Sequence, residues 1–458
     1  MKKNILILSA CAIVSLPFQS GASNYYWVGG TGNYSDVAHW ATTSGGTAFQ
    51  SVPPTTYDDV FFDINSFPTS NDTMYFDIDY SGAHFFTIAG VLNTPTFADG
   101  PAALEVDIQG NFSIVANINW ASTCNFVFTP LSTDSSLTIQ TNSVYLPNYL
   151  FLDGDVTNNI SILDDLHSGQ FELDGGSFDS QNHNIYCGHL IINSTAPLYF
   201  GTSTINCLND VNYFLGGGVS NPPMYCDSAT IISGTSFDVE LSCTNIHFGT
   251  VECGNGLTSN NCFYKRIINS SNSCGGLYGD GNHVDLLEGN YSVGTNIYGS
   301  PPNYFSKVAV TDSFISDDNN VIDTLIFSDP GGHLQIFDTL TITGELIMNN
   351  SPARMGIIDE FQDSAYLKVT SGIVCLDFVD IGNIYAIGGA QFYAGYNSSG
   401  PPGHGWQFTG CETSGGAWPG DANYDLTVNN LDILAIGLAN GETGPVRAGA
   451  STAWVVSS

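Results

Sequence analysis

From residue 24 to residue 411 the chain reads as a succession of short apolar bursts. Runs of four to six residues rich in Val, Ile, Leu, Phe, Tyr and Thr are cut by Asn, Asp, Gly and Ser. They stand at 136–140, 149–152, 159–163, 188–193, 204–208, 230–233, 324–327, 339–343 and 365–370. Apolar and polar positions alternate within them, which is the period of a strand with one buried face. No segment sustains a helical period for three turns, and the cuts carry turn chemistry. There are too many runs for one sandwich. Cys187, Cys207, Cys226, Cys243 and Cys262 recur at intervals of 17 to 20 residues. A repeat of that size marks a solenoid, in which each coil adds two or three short strands and equivalent positions stack about 4.8 Å apart. The pattern predicts a mainly β chain whose body, 24–411, is a right-handed parallel β-helix, or β-solenoid. Cys187, Cys207, Cys226 and Cys243 are expected at comparable coil positions, filling the interior or pairing between coils. Tandem antiparallel β-sandwiches are the alternative.

The first 22 residues read differently. Lys2 and Lys3 precede an apolar run over 5–16, and small residues follow at Ser20, Gly21, Ala22 and Ser23. This is the pattern of a secretory signal peptide cut near Ala22 or Ser23. Leu8, Ser9, Ala10 and Cys11 offer a rival, a lipoprotein site that would leave Cys11 lipidated. The apolar stretch before Cys11 is short and continues beyond it, which favours the signal peptide. No later run approaches the roughly 18 apolar residues of a membrane helix. The mature chain is therefore expected to be secreted, extracellular or on the outer cell surface, without a transmembrane segment.

Charge narrows the partners. Lys and Arg total 8 against 43 Asp and Glu, a net charge of −35. Such a field repels nucleic acid and anionic membrane. Hydrophobic residues make up 43% and aromatics 12%, enough for a packed core, so the acidity does not imply disorder. Eleven cysteines leave ten once Cys11 is removed, an even number suited to disulfides in an exported chain. No Cys-x-x-Cys pair is present, which argues against zinc ribbons.

The one motif with specific ligand chemistry follows a linker, 412–418. Asp421, Asn423, Asp425, Thr427, Asn429 and Asp432 occupy positions 1, 3, 5, 7, 9 and 12 of a twelve-residue loop. That spacing wraps a hard cation in oxygens, with Thr427 acting through its carbonyl and Asn429 through water. Leu431, Leu434, Ala435 and Leu438 then fall on one face at helical spacing. Residues 419–458 are expected to be a small EF-hand-type module that binds Ca2+. Leu426 stands at position 6, where Gly normally makes the sharp turn, at a cost of roughly 1 kcal/mol or more, so the site is expected to be weak.

Two further motifs mark the ends of the body. Trp27, Val28, Gly29, Gly30, Gly32, Asn33, Ser35 and Asp36 are followed by His39 and Trp40. Near the other end, Gly388, Gly389, Ala390, Phe392, Tyr393, Ala394 and Gly395 lead to Gly405, Trp406 and Phe408. The first is expected to cover the open edge of the first coil. Cys375 and Cys411 flank the second and are expected to staple it. With the calcium loop, these motifs resemble those of a large class of exported, repeat-rich, adhesin-like surface proteins of Bacteroidota that carry a C-terminal dockerin-like module. The resemblance implies a surface role, calcium binding and export by the gliding-associated route, and no defined activity. A dockerin has two loops and this chain carries one before Ser458, so a truncated product lacking a second loop and a sorting domain is expected.

Other chemistry is weaker. Asp58 with Asp59, Asp164 with Asp165 and Asp317 with Asp318 form acidic pairs of the kind glycosidases use as acid and base. Gly403, His404 and Gly405 resemble a motif of pectin-degrading enzymes without its companion motifs. With 43 carboxylates such pairs arise by chance in solvated turns. His183, Cys187 and His189 would share one face of a strand and could ligate a metal, although no fourth ligand is evident. A Gly-x-Ser-x-Gly elbow and phosphate-binding glycine loops are absent. Two functions remain. One is a non-catalytic surface or adhesin-like protein that meets a cell-surface polysaccharide or a protein docking partner. The other is a secreted carbohydrate-active protein with a docking tail.

Overall fold

A computed structural model of the chain describes residues 22–131, 133–155, 157–213, 224–239, 245–269, 275–294, 301–317, 319–360 and 364–411. The signal peptide, the linker and the calcium module lie outside them, apart from Ala22. Among the described residues strands are almost the whole of the regular structure, and one 3-10 turn, Val37–His39, is the only helical element. No helix there is long and apolar enough to cross a membrane. The chain divides into two units, Met1–Gly169 and Gln170–Ser458, the division falling inside strand Leu166–Leu173. Each unit is a parallel β-helix, which sets aside the sandwich alternative.

Unit 1 has three parallel stacks. One runs through Asn24–Trp27, Asp59–Phe62, Phe86–Ile88, Phe112–Ile114, Ser136–Gln140 and Asn159–Ile162. A second comprises Gly32–Asn33, Thr73–Phe76, Thr96–Asp99 and Asn119–Trp120. The third joins Tyr80–Ala83, Glu105–Ile108, Asn125–Phe128 and Tyr145–Leu152. Inward residues repeat in register, as in Val60, Phe86, Phe112 and Ile139. Each is fully buried, worth about 1.5–3 kcal/mol per side chain.

The first end motif closes this unit as expected. Trp40–Ala41 pairs antiparallel with Asn24–Trp27, so the parallel ladder stops at a reversed strand. Trp27, Tyr34 and Trp40 are wholly buried. Their polar atoms are all engaged: Trp27 Nε1 donates to the Gly30 carbonyl (2.8 Å), Trp40 Nε1 to that of Tyr34 (2.7 Å) and the Tyr34 hydroxyl to that of Gly82 (2.5 Å). His39 stacks on Trp27 at 4.6 Å. A Cβ on Gly32 would lie 2.1 Å from His39 Nε2, so this glycine leaves the space that the imidazole fills.

In unit 2 a bent strand of six to ten residues recurs in most coils, and in the coil of Ile205 it is split into Thr204–Cys207 and Val211–Tyr213. Its inward column is Ile185, Ile205, Ile231, Val251, Ile267, Leu287, Val308, Leu325 and Leu346, one aliphatic per coil. Buried asparagines continue the stacking in the turns. Asn282 Nδ2 donates to Asn303 Oδ1 (3.1 Å), and Asn303 Nδ2 to Asn320 Oδ1 (3.2 Å). Amide ladders of this kind satisfy polar groups between successive layers. The last coils, Ile373–Cys375, Gln391–Tyr393 and Trp406–Gln407, pair in parallel. The Cys375–Cys411 disulfide clasps them, with Cα atoms 5.7 Å apart.

The cysteine repeat is only partly a coil repeat. Cys187 and Cys207 are register partners, but the next two residues in that column are Ser233 and Cys253. Cys226 lies earlier in its strand, opposite Phe248. Coils differ in length, the interval from Ile205 to Ile231 being longer than that from Val251 to Ile267, so a regular sequence interval drifts out of register. Cys243 lies outside the described residues.

Candidate functional site

The six proposed calcium ligands, Asp421, Asn423, Asp425, Thr427, Asn429 and Asp432, lie outside the described residues, and so does the helix expected after them. Among the described residues no group of three or more His, Cys, Asp or Glu is placed to hold a metal.

The acidic pairs are largely absorbed by turns. Asp58 accepts from the Thr55 amide and hydroxyl and from the Ser23 amide. Asp59 meets His84 Nδ1 at 3.0 Å, while His84 Nε2 meets Asp134 at 2.9 Å. Asp164 accepts from the amides of Thr141 and Asn142. Asp318 lies outside the described residues. Asp99 is another such anchor. Burial would raise its pKa, but hydrogen bonds from Ser122, Thr123 and Cys124 outweigh burial and hold it below the usual carboxylate value.

The expectation that His183, Cys187 and His189 share a face is corrected. Strand Ile185–Ile192 bends at Gly188 and His189, which both point outward, so alternation breaks between Cys187 and His189. Cys187 is interior, its sulfur 3.1 Å from that of Cys207. His189 lies outside, against Asp210 and Asn209, and His183 precedes the strand. The interior thiols are poor nucleophiles. Burial pushes Cys124 up to about 12 and Cys253 to about 11, and Cys226 is raised by burial as well. His404 stacks on Tyr385 at 4.1 Å.

One carboxyl pair was not singled out from sequence. Glu105 and Asp107 are neighbouring outward positions of one strand. Burial raises both, and the neighbouring Asp107 carboxyl raises Glu105 further.

The most extensive outward feature lies in unit 2. Tyr199, Tyr225, His247, Phe263, His283 and Tyr304 succeed one another in register on one face. Ring centroids are 4.7 Å apart for Tyr199 and Tyr225, 4.4 Å for His247 and Phe263, 5.0 Å for Phe263 and His283, and 4.9 Å for His283 and Tyr304. The planes of these pairs lie within 19° of one another. Tyr225 is 50% exposed and Tyr304 41%. Two grooves follow this stripe. One, of about 180 Å3, is lined by Asp227, His247, Phe263, Lys265 and Asp285. The other, of about 370 Å3, is lined by His283, Asp285, Tyr304, Ser306, Asp323 and Thr343. A larger hollow of about 480 Å3 in unit 1 is lined by Ala116, Ile118, Trp120, Val144 and Pro147 among others, none charged. The smaller grooves are the better ligand sites because both combine rings with carboxylates, and one adds Lys265.

Uneven coil lengths hid the stripe in the sequence. The available signal was an outward ring directly before an inward residue, as in Tyr225 with Cys226, His247 with Phe248, Phe263 with Tyr264 and Tyr304 with Phe305. Comparison of the chain with protein-family models, with curated proteins and with solved structures finds no match in any of the three.

Proposed function

We propose that the protein is an exported, surface-displayed β-helix of adhesin-like kind that binds its partner without transforming it. In this reading 419–458 is a dockerin-like module in which Asp421, Asn423, Asp425, Thr427, Asn429 and Asp432 hold Ca2+ weakly. The observation that carries the reading is the exposed stripe of unit 2. Its ring edges and the flanking Asp285 face solvent, whereas Asp58, Asp99 and Asp164 cap turns and Cys187 and Cys207 fill the interior. The net charge of −35 suits a surface bathed in divalent cations. The test is antibody labelling of intact cells combined with attachment assays with and without a calcium chelator. Surface labelling and chelator-sensitive attachment are expected. Protein retained inside the cell, or attachment unchanged in cells lacking the chain, overturns the reading.

The carbohydrate-active alternative rests on Glu105 and Asp107, whose raised pKa values would suit a general acid. It requires release of reducing ends from a polysaccharide, abolished by Glu105→Gln or Asp107→Asn.

A further inference from the structure

We propose that the stripe and the row beside it bind a neutral, linear polysaccharide laid along the direction in which the coils stack. The inference rests on the binding role proposed above and names the ligand class of that surface.

The rings stack in two groups, Tyr199 with Tyr225 and His247 through Phe263 and His283 to Tyr304, so most of their faces are occupied by neighbours. What the stripe turns to solvent is ring edges, with the hydroxyls of Tyr225 and Tyr304 and the nitrogens of His247 and His283. A ring edge is the positive part of the aromatic quadrupole and attracts oxygen lone pairs, and phenol and imidazole groups add directed hydrogen bonds. Beside them runs a second row, Asp227, Lys265, Asp285, Ser306 and Asp323, lining the same grooves. Asp323 accepts from Thr343 (3.0 Å), and Lys265 donates to the Asp227 carbonyl (2.6 Å). The carboxylate of Asp285 and the polar ring atoms of His247, His283, Tyr225 and Tyr304 have no hydrogen-bond partner among the described residues.

One row is thus rich in donors and the other in carboxylate acceptors. A vicinal diol needs both, because each hydroxyl donates once and accepts elsewhere. The spacing favours a polymer. Each coil advances by the strand separation of about 4.8 Å, close to the length of one sugar residue in an extended chain. A linear polysaccharide therefore meets one rung per residue, a ring with a polar side chain beside it at most of them, and weak contacts multiply along it. The sign of the charge selects a neutral chain. Among the described residues Lys265 is the only Lys or Arg lining either groove, and the overall field repels uronic acids, sulfates and phosphates.

The test uses the full mature chain in native gels cast with soluble linear mannan, arabinoxylan, mixed-linkage glucan or dextran, with polygalacturonate as the acidic control and calcium held constant. Retardation by at least one neutral linear polymer and none by polygalacturonate is expected. His283→Ser with Tyr304→Ser should weaken retardation at least tenfold, and Asp285→Asn about tenfold. Oligosaccharides of the preferred polymer should bind more tightly with length up to about five residues. Thermal melts accompany each variant. Should the double variant melt lower, Asp285→Asn decides, since that side chain is exposed and outside the packing. No retardation by any neutral polymer, equal retardation by polygalacturonate, or binding unchanged in Asp285→Asn overturns the inference. Surface display with chelator-sensitive attachment but no glycan binding refutes the ligand class alone. Absence of surface display refutes the role beneath it.

Discussion

Trp40→Ala should open the first coils of unit 1 and leave distant coils protected. The indole is fully buried, with ring centroids of Trp27, Tyr34 and Phe62 at 4.9, 5.2 and 5.8 Å. Truncating a buried Trp costs about 3–5 kcal/mol through lost transfer energy and the cavity left behind. The Tyr34 carbonyl also loses its indole donor, adding about 1 kcal/mol where water cannot replace it. The expected loss is about 4–6 kcal/mol, of the order of a whole small domain's stability. In a stacked repeat each coil leans only on its neighbours, so the loss should stay local. Hydrogen exchange followed by mass spectrometry reads this directly. Amides of Asn24–Trp27, Asp59–Phe62 and Tyr80–Ala83 should lose about a thousandfold to ten-thousandfold protection, and those of Val321–Phe327 none. Trp40→Phe keeps most of the apolar volume and should cost only about 1–2 kcal/mol. Unchanged protection near the N-terminus, equal loss throughout the chain, or equal effects of the two substitutions would refute the capping role.

Three more outcomes follow from the packing. Cys375→Ser with Cys411→Ser opens a loop of sequence separation 36 and should cost about 4 kcal/mol; equal protection of Gln391–Tyr393 with and without reductant would contradict it. Gly32→Ala should cost about 2–3 kcal/mol, because its Cβ would meet His39 Nε2 at 2.1 Å and push the ring off Trp27; a double-mutant cycle with His39→Ala should recover part of this, and strict additivity would argue against the contact. Alkali should destabilise the fold. Cys253, raised by burial from 9.0 to about 11, keeps its proton in the folded chain after the unfolded chain has lost it. Its contribution is present below pH 9 and declines as pH rises towards 11. The urea midpoint should fall over that range, less steeply in Cys253→Ala; identical slopes would remove the thiol as a cause.

The fold class was legible because alternation is local. The run 136–140 is found unchanged as Ser136–Gln140, and 204–208 as Thr204–Cys207. The two end motifs were legible because glycines, tryptophans and a histidine within a few residues of one another make a local lock. The Cys375–Cys411 pairing followed from the position of these cysteines at the flanks of the second motif.

What stayed hidden depended on register. A bend at Gly188 and His189 put Cys187 and His189 on opposite sides, although their spacing in a straight strand puts them together. Unequal coils placed Ser233 and Cys253, rather than Cys226, in the column of Cys187 and Cys207. The same unevenness assembled Tyr225, His247, Phe263, His283 and Tyr304 from five separate strands into one stripe. By itself the amino-acid order determined which residues face inward within each strand, because the side-chain period is two and burying apolar surface decides the face. Only the tertiary structure decided which strands lie above one another, because the length of every turn sets that alignment and turn length carries no periodic signal.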